Sequence, residues 1–157
     1  RKSFVQGIAV NSAGDVYCEG DSTNASNISV ASQWVNSSRE SLSVPVAANP
    51  SSAQAIEIMN DVVYIGGYGD DGTRDVAAIW TSGVRADQEP LAANQRGRGF
   101  GLAADGSTVV LGGQSRDSAG DDRAGFWTDG QFTQLNATEN GEAVEAQINA
   151  STIVSQF

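Results

Sequence analysis

The 157 residues include 9 Lys or Arg, 19 Asp or Glu and no histidine, for a formal net charge of -10. A surface of that sign repels polyanions and excludes nucleic acid as a partner. The missing imidazole removes the usual general base, the usual zinc ligand and every His-dependent triad.

With 18 Gly, 3 Pro and isolated apolar clusters in place of a helical stripe, the composition fits many short strands joined by turns. Cys18 is the only cysteine, so an intrachain disulfide and a Cys-rich metal site are both excluded. Its neighbours Val16 and Tyr17 place it on a strand, where a small buried core side chain is expected. No apolar run reaches the roughly 18 residues of a membrane span. The chain opens on Arg1 without a basic-then-apolar leader, as expected of a processed product or a trimmed piece of something longer.

In chain order, the first predicted strand covers residues 7–10 and is followed by the turn residues 11–15. A second strand is Asp15-Val16-Tyr17-Cys18-Glu19-Gly20, a third carries Trp34, and a fourth ends near Leu42. The same four steps then recur. Residues 53–58, the turn Asn60-Asp61, Val62-Val63-Tyr64-Ile65-Gly66-Gly67, Trp80, the turn Thr81-Ser82-Gly83 and Leu91 form the second copy. Residues 99–103, the turn 104–107, Thr108-Val109-Val110-Leu111-Gly112-Gly113, Trp127, the turn Thr128-Asp129-Gly130 and Leu135 form the third. Asn, Asp, Ser and Gly at these corners accept the left-handed backbone of tight hairpins.

The tryptophans are 46 and 47 residues apart. A fixed period of that size predicts a β-propeller-like array of four-stranded antiparallel blades. The repeats run over 4–48, 49–95 and 96–140, with a partial unit at 141–157 in which residues 143–148 and 152–154 start a fourth copy. Three and a half units leave two open ends with unpaired apolar surface. Further blades of the same polypeptide, self-association with a second copy, or another form of stacking is expected to cover them.

The motif Ala77-Ala78-Ile79-Trp80-Thr81-Ser82-Gly83 with Leu91 resembles the HAF-type extracellular repeats of bacteria and archaea. The stretch from Leu102 to Gly112 with Gly125-Phe126-Trp127-Thr128 is the most similar to them, and the resemblance covers nearly the whole chain. It departs in one respect: the HAF pattern carries a His before the Ala of the Trp strand, and this chain has none. The doublets Gly66-Gly67 and Gly112-Gly113 also resemble kelch blades, although the kelch Trp lies several residues farther on. The HAF resemblance implies a secreted or cell-surface protein.

Candidate sites each carry two readings. Trp34, Trp80 and Trp127 are expected as core plugs between neighbouring sheets, with a sugar-stacking face as the alternative. The acids Asp21, Asp70, Asp71, Asp75, Asp117, Asp121 and Asp122 crowd the loops before the Trp strands. Asp70, Asp71, Asp75, Asp117, Asp121 and Asp122 offer oxygens to a calcium ion, or Arg74 and Arg123 neutralise them at solvated hairpin tips. Five sequons, at Asn24, Asn27, Asn36, Asn136 and Asn149, exceed what random placement of 10 Asn and 26 Ser or Thr gives. They point to a glycoprotein, or to the clustering expected of a chain rich in Ser and Asn.

No carboxylate pair is singled out as catalytic, and no cofactor beyond calcium is suggested. The function expected is a non-enzymatic extracellular or cell-surface module acting as scaffold, adhesin or filament and assembly subunit. The alternatives are a carbohydrate- or calcium-dependent ligand-binding propeller fragment, and a fragment of a propeller glycoside hydrolase that works through two carboxylates.

Overall fold

Tight hairpins organise the computed structural model, which describes residues 2–46 and 48–135 and the backbone of two strands at 145–149 and 152–156. Asn36-Ser37, Ser82-Gly83 and Asp129-Gly130 each turn with both residues at positive φ, as does Asn60-Asp61. That is the geometry whose twist matches the flanking strands of a two-residue hairpin. The result is all-β, with no helix among the described residues.

Three antiparallel four-stranded sheets follow one another along the chain. The first is β1 (Ser3–Val10), β2 (Val16–Thr23), β3 (Ser29–Val35) and β4 (Ser38–Ser41). The second is β5 (Ser51–Met59), β6 (Val62–Asp70), β7 (Asp75–Thr81) and β8 (Val84–Asp87). The third is β9 (Gly97–Asp105), β10 (Thr108–Arg116), β11 (Asp122–Thr128) and β12 (Gln131–Gln134). Strands β13 (Glu145–Asn149) and β14 (Thr152–Gln156) pair as a hairpin, and β13 packs against β9 and β10.

Pairing places equivalent residues in one row of each sheet: Ile8-Cys18-Trp34, Ile56-Ile65-Trp80 and Leu102-Leu111-Trp127. Paired residues project to the same side of a sheet, so each row presents one apolar face. The rows of the second and third sheets lie against the preceding sheet. Trp80, Ile65 and Val63 pack with Ala31, Leu42 and Tyr17 of the first. Trp127, Leu111 and Leu102 pack with Ala77, Ile79 and Tyr64 of the second. Burying each indole contributes roughly 3 kcal/mol.

The glycine doublets have two separate causes. A register shift interrupts the first strand of every sheet, between Val5 and Gly7, between Ala53 and Ala55, and opposite Gly112 and Gly113. A Cβ on Gly20, Gly67 or Gly113 would lie 2.0, 2.1 and 2.1 Å from the carbonyl oxygens of Phe4, Ser52 and Arg98 at those bulges. Backbone is in the way, so only glycine fits. At Gly66 the obstacle is instead Leu111 Cδ1 of the next sheet, 2.6 Å from such a Cβ.

The sheet rows correct one detail of the sequence reading. Leu42, Gln88 and Leu135 extend the fourth strands by equivalent bonds, their amides donating to Ala31, Ala77 and Ala124 carbonyls. Gln88 therefore holds the position assigned to Leu91, whose amide donates to Ser115 Oγ at 2.8 Å.

Candidate functional site

Two tryptophans are sealed and one is only partly covered. Trp80 and Trp127 have no exposed surface. Their indole N–H groups donate to the Ser43 carbonyl at 2.7 Å and the Glu89 carbonyl at 2.6 Å, both on the connections between sheets. Arg85 stacks over the Trp80 ring at 5.3 Å, and Phe132 meets Trp127 edge-on at 4.7 Å. Neither ring is available to stack on a sugar.

Trp34, which the sequence places in the same core role, is only half-buried. It lines a groove of about 620 Å3 with Val5, Val16, Cys18, Asn36 and Ser37. Cys18 is likewise half-buried rather than enclosed. The physical reason is common to both: no described residue packs a sheet on this side of β1–β4.

A smaller cleft of about 210 Å3 opens between the second and third sheets. Tyr64 and Val109 supply apolar surface, while Thr81, Gln88, Ser107 and Asp129 supply hydroxyls, an amide and a carboxylate. Gln88, which holds the position of Leu42 in the first sheet, forms part of its wall and donates its amide to the Ala86 carbonyl at 3.0 Å. An aromatic flank beside convergent polar groups suits a small polar ligand with apolar faces. Sequence reading missed these residues, since none stands out by type or spacing.

The acidic loops are organised by turns and arginines. Asp71 Oδ1 accepts from the Thr73 hydroxyl and amide and from the Arg74 amide, which holds its carboxyl down at about 2. Asp70 accepts from the Gly72 amide and Asn49. Asp75 pairs with Arg98, and Asp117 and Asp121 with Arg123. The Arg123 bond to Asp117 lowers that carboxyl below its ordinary value. Asp122 is gripped by Arg96 and Arg116, and the Arg96 bond foremost holds it at about 2. Among the described residues no three acids, cysteines or histidines gather around a point that could hold a metal ion.

Asp21 bridges the first two sheets by accepting from Ser52 Oγ at 2.8 Å and the Ala53 amide at 3.2 Å. Beside it Glu19 has no exposed surface. Neither of its carboxylate oxygens has a partner among the described residues. Burial, followed by the charge of Asp21, pushes Glu19 up to about 7. Glu19 occupies the position of Gly66 and Gly112, under Gly7 and facing Ile56. Enclosed in this way, it is not presented to a substrate.

Of the sequons, Asn27 and Asn36 are exposed and Asn24 is half-buried. Asn24 Oδ1 caps its own turn by accepting from the Ser26 and Ile28 amides. Asn36 Nδ2 donates to Asp15 Oδ1 at 2.7 Å, so a glycan there would replace that bond. Asn136 and the side chain of Asn149 lie outside the described residues.

No protein-family model and no curated protein matches the chain. Among solved structures it is similar to a fucose lectin from Kordia zhangzhouensis in complex with methyl-fucoside, with a TM-score of 0.58 and 11% identity. The similarity covers 84% of this chain and 98% of the lectin chain. At this identity the likeness concerns the fold.

Proposed function

We propose that the chain is a non-enzymatic carbohydrate-binding module whose stacked sheets belong to a propeller-like array. The observation that carries this reading is the similarity in fold to a lectin over nearly the whole length of that lectin. The cleft beside Tyr64, Thr81, Gln88, Ser107 and Asp129 supports it, because a ring face bordered by hydroxyl, amide and carboxylate groups matches the mixed surface of a sugar. A glycan-binding module at a cell surface is an adhesin. The HAF-type resemblance and the sequons fit that extracellular setting.

Titration of the chain with methyl-fucoside, together with a glycan array read with and without calcium, tests the reading. Binding that is lost in Gln88→Leu, which removes the amide from the cleft wall while keeping a side chain of similar size, is the expected result. Silence on every glycan in both conditions overturns it. Turnover on a polysaccharide panel replaces it with the hydrolase alternative.

A further inference from the structure

The face of the first sheet that carries Trp34 repeats, residue for residue, a surface that is covered elsewhere in the chain. Ile8, Cys18 and Trp34 hold the positions of Ile56, Ile65 and Trp80, and of Leu102, Leu111 and Trp127. Both later rows are closed by another sheet of the chain. The first is closed by no other described sheet: Val5 is 58% exposed, Ile8 67% and Val10 58%. Val10 pairs with Val16, which is 37% exposed and lines the same groove as Trp34. Five large apolar side chains thus form one open patch on a protein whose net charge is -10.

We propose that this face docks onto a sheet of a second copy of the chain. Continuity with the two closed interfaces identifies the occupant. What covers Trp80 and Trp127 is in each case a sheet of this same repeat, bringing an alanine (Ala31, Ala77), a tyrosine (Tyr17, Tyr64) and a connection carbonyl that receives the indole N–H. In any copy the covering faces of the first and second sheets are already taken by Trp80 and Trp127, so the sheet surface left for a neighbour is at the C-terminal end, where the β13–β14 hairpin packs on the third sheet. A flat sheet face of β-branched residues around a half-buried indole fits another sheet face. It fits a ligand with a hydroxyl on every carbon poorly, because the groove offers polar groups only at its Asn36, Ser37 and Ser3 margin.

Sedimentation velocity of the intact chain over a range of concentrations tests this inference, with Ile8→Lys and Val84→Lys compared side by side. Both positions are well exposed in the single chain, at 67% and 71%, so neither substitution disturbs its packing. Val84 lies on β8, away from the Trp34 face. The wild type and Val84→Lys are expected to associate equally, while Ile8→Lys weakens association by about 100-fold or more, since a lysine would be buried there unpaired. Acrylamide quenching of one of the three tryptophans is expected to fall as the wild type associates and to persist in Ile8→Lys. A chain that stays monomeric at hundreds of micromolar overturns the inference. Association untouched by Ile8→Lys, or quenching relieved by methyl-fucoside in the monomer, does so as well. Neither bears on the cleft between the second and third sheets.

Discussion

Replacing Glu19 with Gln is expected to change the pH dependence of stability in a defined direction. Glu19 rises from the ordinary 4.5 to about 7 in the folded chain because it is buried and stands beside Asp21. A carboxyl with a raised folded value binds its proton more tightly when folded. Its contribution is therefore complete below pH 4.5 and lost as pH rises through 7. The difference corresponds to about 3 kcal/mol across that window, or a fall in Tm of roughly 6–12 °C for a chain of this size. Glu19→Gln removes the titrating group while keeping its shape. Thermal melts by circular dichroism from pH 4.5 to 8.5 should show the variant near wild type at the acid end, increasingly more stable as pH rises toward 7, and ahead by a constant margin above that. Parallel profiles across the range would refute the assignment of a buried, unpartnered acid between the first two sheets.

Other substitutions separate glycines and tryptophans by their surroundings. Gly67→Ala, whose Cβ would lie 2.1 Å from the Ser52 carbonyl oxygen, should destabilise by up to about 3 kcal/mol in chemical denaturation. Gly83→Ala, with open space but φ +80, should cost only about 1 kcal/mol. Trp80→Ala and Trp127→Ala should each lose about 3–5 kcal/mol, and Trp34→Ala clearly less in dilute solution because it is only partly buried. Calcium at millimolar concentration should leave Tm unchanged, since Asp71, Asp117 and Asp122 are engaged by turns and arginines. In acid, Asp71 and Asp122 act opposite to Glu19: their support is present above the ordinary 3.8 and lost toward about 2, so stability should peak between about pH 4 and 5.

The strands and hairpins were legible in the sequence because they are local. Alternating apolar residues and corner residues such as Asn60-Asp61 and Asp129-Gly130 encode four-stranded sheets within short stretches of chain. The register of the fourth strand of the second sheet was not. A leucine at 91 is the better apolar candidate, yet Gln88 is buried because its amide finds the Ala86 carbonyl, a bond that hydropathy does not register. The difference between Trp34 and its two equivalents is also invisible in one dimension, since all three share one motif and only the stacking reveals which face lacks a cover. Glu19 did leave a signal, as an acid in place of the first glycine of the doublet.

Trp80 and Trp127 each grip the polypeptide that leads from one sheet to their own, through the carbonyls of Ser43 and Glu89. The covalent bridge and the non-covalent seam are thereby calibrated to one another. Extra residues at a hairpin tip such as Ser82-Gly83 would extend into solvent, whereas an extra residue between Leu42 and Ser43, or between Gln88 and Glu89, would move the gripped carbonyl out of reach. Evolution can thus lengthen this molecule at its rims far more freely than at the point where each connection leaves its sheet.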